Sequence, residues 1–106
     1  MIKQAIIPLA GLGTRLLPLT SVFAKELLPI NGKPGIEYIL DECIEAGIKE
    51  VIFIISKKKM MIKKYFYNDK FYNDLIKRKK DPRIISEYKK ILKYKKMIKF
   101  VFQNKP

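Results

Sequence analysis

Histidine is absent from this 106-residue chain, and cysteine occurs once. No His-based triad and no His metal site can be built from it. The single thiol, Cys43, excludes an intramolecular disulfide and suits a reducing compartment. Acidic residues are few: ten, against twenty-three lysines and arginines, for a net charge of +13. No run approaches the ~20 apolar residues that a membrane-spanning helix needs. Lys3 precedes an apolar run, but Gly11, Gly13 and Arg15 break it too early for a secretory leader. A cytoplasmic protein without membrane partners is therefore expected. No internal repeat is evident, and the length is enough for one small domain.

Neither of the two best-known phosphate loops is present. No glycine opens the spacing G-x-x-x-x-G-K-[ST] of a P-loop, and Gly32-Lys33 is followed by Pro34. A dinucleotide fingerprint needs G-x-G-x-x-G, and its third glycine position is occupied by Leu16, which prevents close helix–strand packing. What the chain has is Ile6 to Arg15, I-I-P-L-A-G-L-G-T-R. Ala5-Ile6-Ile7 has strand length and β-branched content, and a glycine loop bounds it. Without a Cβ at Gly11 or Gly13, the backbone N–H groups can approach a ligand closely and form a concave anion site. Thr14 adds a hydroxyl donor, and Arg15 adds a planar fork that fits phosphate oxygens bidentately. A bare G-x-G alone would be read as an ordinary turn.

The periodicity predicts one α/β unit. Gln4 to Leu9 reads as the first strand, Gly11 to Ser21 as loop with a short helix, and Leu27 to Ile30 as a short extended piece. Asn31-Gly32-Lys33-Pro34 is a turn by composition. From Gly35 to Ala46, Ile36, Ile39, Leu40, Cys43 and Ile44 recur at helical spacing, and Gly47 follows as a C-terminal cap. Cys43 falls on the apolar face, as a small buried hydrophobe. Glu50 to Ile55 reads as a buried strand. Strand, helix, strand with short links makes a right-handed βαβ crossover and a parallel sheet. Ligands bind at the carboxyl ends of strands in such sheets, and the Gly11 loop lies at one. Met60 to Tyr67, Phe71 to Lys79 and Pro82 to Tyr94 read as helices, and Ile98 to Phe102 as another strand.

Charge divides the chain. Met1 to Ser56 carries five basic and six acidic residues, a net −1, whereas Lys57 to Pro106 carries eighteen and four, a net +14. Lysine clusters attract phosphate backbones, but no RRM, KH, zinc-finger or helix-turn-helix signature accompanies them. Twenty of the twenty-three cations are lysine, beside abundant Ile, Tyr and Phe, the bias of an AT-rich genome. Lysines at helical spacing are read as a solvated face, and no specific nucleic-acid partner is expected. Part of the charge can steer anionic nucleotides.

Gly11 to Pro29 resembles the signature of the sugar-phosphate nucleotidylyltransferases, G-x-G-T-R-x-x-P-x-T-x-x-x-P-K-x-x-x-P. Gly11, Gly13, Thr14, Arg15, Pro18, Thr20, Lys25 and Pro29 fall in place, and Ala24 stands where the family has proline. Pro8-Leu9-Ala10-Gly11-Leu12-Gly13-Thr14-Arg15 resembles the form found in bacterial UTP–glucose-1-phosphate uridylyltransferases. Lys33-Pro34 through Tyr38, Asp41-Glu42-Cys43 to Ala46-Gly47-Ile48, and the long basic stretch before Phe102-Gln103 are similar to that subfamily too. The resemblance implies a Rossmann-like, glycosyltransferase-A-like open parallel sheet, of which this chain is the N-terminal portion only. On that basis residues 1–56 would hold a nucleotide half-site, 57–98 a basic helical insertion, and 99–106 a strand leading into the base-binding loop.

The implied reaction joins UTP and glucose 1-phosphate into UDP-glucose and pyrophosphate. The sugar phosphate oxygen attacks the α-phosphorus in line, so neutralising charge and aligning the reactants carry the catalysis. By the same resemblance Arg15 and Lys25 are catalytic. Arg15 would stabilise the leaving pyrophosphate and Lys25 the charge near the attacked phosphate. Leu9, Ala10, Gly11, Leu12, Gly13 and Thr14 would shape the nucleotide site with them, and Gln103 would read the base. Magnesium would bridge the phosphates from a ligand beyond Pro106, with no metal ligand within the chain, and the full enzyme would be a homo-oligomer. Two other readings stay open: a thymidylyl-, guanylyl- or adenylyltransferase for another sugar phosphate, and a non-catalytic nucleotide-binding remnant.

Overall fold

Val51, Phe53 and Ile55 alternate with Ile52 and Ile54 along Glu50–Ile55, and the first three are fully buried while the other two are half-buried. That one-sided alternation places the strand at the centre of a sheet covered by helices on one face. In the computed structural model, which describes residues 3–9 and 24–103, the elements are β1 (Gln4–Pro8), β2 (Pro29–Ile30), β3 (Lys33–Pro34), α1 (Gly35–Glu45), β4 (Glu50–Ile55), α2 (Met60–Phe66), α3 (Asp69–Lys79), α4 (Pro82–Met97) and β5 (Ile98–Phe102). The expected loop and short helix over Gly11 to Ser21 lie outside the described residues.

The main sheet has the order β1-β4-β5, and both pairings are parallel. Ala5 and Ile7 pair with Val51 and Phe53, which pair in turn with Ile98 and Phe100. These residues share one face, against which Ile36, Leu40 and Cys43 of α1, Ile62 and Phe66 of α2, and Ile91 and Tyr94 of α4 form the core. Each fully buried large apolar side chain stabilises the fold by about 1.5–3 kcal/mol. The rings of Phe53 and Phe100 lie 5.8 Å apart, and Phe66 meets Tyr94 edge-on. The opposite face presents Ile6 and Val101, both exposed.

Helix α1 follows its sequence pattern: Ile36, Leu40 and Cys43 are buried, and burial pushes the Cys43 thiol up. It ends in a Schellman arrangement, with the Gly47 N–H on the Ile44 carbonyl and the Ile48 N–H on that of Cys43, both at 3.0 Å. Gly47 sits at φ +80°, which a side chain would oppose. Upstream, the expected four-residue turn is narrower. Lys33 and Pro34 pair with Ile30 and Pro29, so only Asn31 and Gly32 turn. Both have positive φ, 53° and 79°, the two-residue hairpin geometry that Asn-Gly favours. The Tyr38 hydroxyl donates to the Ile30 carbonyl at 2.7 Å and fastens this hairpin to α1.

Helices α3 and α4 form an antiparallel pair. Lys80, at φ 51°, closes α3, and the Asp81 side chain caps α4 by accepting from the Arg83 N–H at 2.8 Å. Pro82 occupies the first position of α4, where its missing N–H is harmless. No residue of α3 is buried. Contact with α4 comes from the stacked rings of Tyr72 and Tyr88, 4.9 Å apart, and from Asp69, which accepts from Tyr88 at 3.0 Å and Lys95 at 2.6 Å. Helix α4 runs on to Met97, past the Tyr94 expected from sequence, and passes into β5 without a loop.

Polar contacts tie α1 to the basic helices. Glu37 is nearly inaccessible and accepts from the Tyr65 hydroxyl, with the Lys90 ammonium 3.0 Å from its other oxygen. Asp41, one turn later, accepts from Lys33 and, at 2.7 Å, from the Tyr94 hydroxyl.

Candidate functional site

The carboxyl ends of the three parallel strands lie along one edge of the sheet. The ladder continues past the strand ends, with the Leu9 N–H donating to the Ile54 carbonyl at 2.8 Å and the Gln103 N–H to that of Ile55 at 2.7 Å. Leu9 and Gln103 therefore flank the end of β4 from opposite sides. The Leu9 side chain is buried, so it offers this edge only backbone, whereas Gln103 is exposed. Ser56, buried, leads out of β4 into a tight turn of 3-10 geometry over Lys57–Lys59, and its carbonyl accepts from the Lys59 N–H at 2.9 Å.

Lys25 opens another 3-10 turn, Lys25–Leu27, where an extended piece was expected to begin at Leu27. The turn is closed by the Leu27 N–H on the Ala24 carbonyl at 3.0 Å and the Leu28 N–H on that of Lys25 at 3.1 Å. Lys25 is exposed, and its two neighbours are buried. Ala24 has φ −69° and ψ 127°, within the range that a proline ring fixes. Its N–H donates to Met61 Sδ at 3.0 Å. Glu26 Oε1 lies 2.7 Å from Lys59 Nζ, with 7 % and 6 % of the two side chains accessible. The turn that carries Lys25 is thus fastened to the segment leaving β4.

Of the site residues expected from sequence, Leu9, Lys25 and Gln103 lie among the described residues; Ala10, Gly11, Leu12, Gly13, Thr14 and Arg15 lie outside them. Lys59 and Met61 were not foreseen. Lys59 ends a run of three lysines that reads as solvent-facing, and the first two are indeed exposed. Nothing local in the sequence marks the third as buried. Beside this edge, Met60, Met61, Lys63, Lys64 and Tyr67 line an open hollow of about 460 Å³. Lys63 Nζ stands 5.3 Å from the centre of the Phe102 ring.

Among the described residues no group of three or more His, Cys, Asp or Glu side chains could hold a metal ion. No helix among the described residues is long and apolar enough to cross a membrane.

The chain is similar to known proteins in sequence and in fold. The chain is 48 % identical over 81 residues to the UTP–glucose-1-phosphate uridylyltransferase of Mycoplasma pneumoniae, which covers 76 % of this chain and 28 % of that protein. The fold superposes on a UDP-glucose pyrophosphorylase from Acinetobacter baumannii with a TM-score of 0.78 and 32 % identity, over 98 % of this chain and 36 % of the other. A UTP-bound UGPase from Acinetobacter baumannii matches with a TM-score of 0.77 and 32 % identity, over 100 % and 37 %. The chain thus spans between 28 % and 37 % of the length of these three relatives. The nucleotidyl transferase family model matches residues 4–72, and the parallel β1-β4-β5 sheet is the fold of those solved structures. The chain belongs to the nucleotidyl transferase family.

Proposed function

We propose that this chain is the N-terminal part of a UTP–glucose-1-phosphate uridylyltransferase, and that residues 1–56 with Gln103 supply its nucleotide half-site. The observation that carries the proposal is the meeting of Leu9, Gln103 and the Lys25 turn around the end of β4, where an open parallel sheet holds its ligands. The names of the relatives support the choice of UTP and glucose 1-phosphate.

The sugar phosphate is already ionised, so the reaction needs no protein nucleophile or base. Its oxygen attacks the α-phosphorus of UTP, the bond to the pyrophosphate breaks, and pyrophosphate leaves. Both reactants are anions, and cations held in fixed positions lower the barrier by matching the charge on the phosphates. Lys25, exposed on a fastened turn, takes the charge at the attacked phosphate, and Arg15 that of the leaving pyrophosphate. Backbone from Leu9 to Thr14 shapes the triphosphate site, and the Gln103 side chain pairs with an edge of the uracil. The surplus of lysine over 57–98, a basic helical insertion, draws anionic substrates in. Magnesium would add charge on the phosphates through ligands outside the described residues. A cytoplasmic homo-oligomer completes the proposal.

Arg15→Ala tests it. Loss of a charge-assisted bidentate contact, worth about 1.5–3 kcal/mol, should weaken UTP binding roughly ten- to a hundredfold by calorimetry. The thermal midpoint should stay where it is. Unchanged UTP affinity would refute the assignment.

A further inference from the structure

Among the described residues, Lys25 is held through its two neighbours. On one side, Ala24 is buried and its N–H is bound to Met61 Sδ. On the other, Glu26 is buried and paired with Lys59 at 2.7 Å. Both anchors belong to the three residues Lys59 to Met61, which span the end of the turn leaving β4 and the start of α2. Between two buried residues on one support, Lys25 is exposed and its backbone is fixed, and among the described residues its ammonium pairs with no carboxylate.

Stability does not explain the ion pair. Taking two charges out of water costs about as much as their attraction returns, and a well-packed apolar pair would hold the turn equally well. An ion pair instead fixes direction, because the carboxylate and ammonium must meet head to head. It also sets the local charge. Lys25 beside an unpaired Glu26 would present no net charge to a polyphosphate; with Lys59 neutralising Glu26, that carboxylate no longer offsets the cation of Lys25.

We infer that Lys59, through its buried ion pair with Glu26, is a positioning residue that presents Lys25 to the nucleotide phosphates. This rests on the proposed role of Lys25 in binding UTP. In this role Lys59 acts through the turn, by its contact with Glu26.

A double-mutant cycle on the whole 106-residue chain tests it, with the UTP dissociation constant as readout. The four proteins are the parent, Lys25→Ala, the pair Glu26→Gln with Lys59→Met, and the triple variant. The paired substitution leaves no lone buried charge, and backbone amide spectra report whether it folds. Lys25→Ala should weaken UTP binding roughly tenfold, the paired variant by a similar factor, and the triple variant no further than either. Additive losses in the triple variant overturn the inference while leaving the role of Lys25 intact. No loss in Lys25→Ala overturns that role, and the inference with it. If the paired variant does not fold, Lys59→Arg takes its place. It keeps the charge but alters the head, so it should weaken UTP binding in the parent and not in Lys25→Ala; equal weakening in both overturns the inference.

Discussion

Leu9 and Gln103 hang on consecutive carbonyls of one strand: the Leu9 N–H donates to Ile54 and the Gln103 N–H to Ile55, at 2.8 and 2.7 Å. Residues near the two ends of the sequence are thereby registered across β4 to within one peptide. The candidate site inherits its geometry from that ladder.

Ala24 occupies the position where the family motif has proline, and its φ of −69° is one that proline adopts without strain. Ala24→Pro removes an N–H bound to Met61 Sδ but restricts the unfolded chain, a gain of about 0.4–1 kcal/mol. The two effects oppose each other. Urea unfolding should place the variant within about 1 kcal/mol of the parent, with UTP affinity unchanged. A much larger destabilisation would show that the N–H to sulfur contact holds the turn by itself.

Asp41 is the carboxylate that joins α1 to both the hairpin and α4. Burial pushes its carboxyl up, but the hydrogen bonds from Lys33 and Tyr94 outweigh that and hold it below the usual range. Hydrogen bonds from Lys99 and Gln4 depress Glu50, and those from Lys95 and Tyr88 depress Asp69. A carboxylate depressed in the fold contributes stability that is complete above its unfolded value, about 4, and drains away as pH falls through the lower folded value. With no histidine to titrate, stability to urea should be level between about pH 7 and 5 and decline below about pH 4.

Tyr94→Phe separates one of these contacts. It deletes a hydroxyl that donates to Asp41 at 2.7 Å and leaves the ring in the core. The expected cost at pH 7 is about 1–2 kcal/mol. The difference from the parent should shrink as pH falls through the lowered folded value of Asp41, where the carboxylate takes up its proton. A difference that stays constant into acid would mean that the ring and not the hydroxyl carries the effect.

Gly47→Ala addresses the end of α1. A Cβ there meets nothing within 4 Å, so the only penalty is the left-handed backbone at φ +80°. Thermal unfolding should report a loss of about 1–2 kcal/mol. A neutral outcome would mean that the backbone relaxes and that the Schellman bonds matter little.

The strands were legible because their pattern is local. Val51 to Ile55 is a continuous apolar run, and β4 and β5 have the bounds that composition suggests. Helix α1 was equally plain, through Ile36, Leu40 and Cys43 at its core-facing positions and Gly47 at its end. The hairpin was misjudged by two residues, although Asn31-Gly32 is itself a strong two-residue turn signal. Lys33-Pro34 reads as part of the turn because proline and lysine are poor strand residues. Helix α4 outran its reading because neither glycine nor proline interrupts the passage from Met97 to Ile98. The Glu26–Lys59 pair was hidden for another reason. It joins residues distant in sequence, and a lysine within Lys57-Lys58-Lys59 has no local mark of burial.

The most direct test of the central claim is a titration of the 106-residue chain with UTP, dTTP, ATP and GTP, repeated with Gln103→Ala. The account predicts that UTP binds at least about tenfold more tightly than ATP and GTP, a preference of about 1.4 kcal/mol or more. Gln103→Ala should reduce that preference without abolishing triphosphate binding. Equal affinity for all four nucleotides, or a preference for UTP that survives Gln103→Ala, would contradict it.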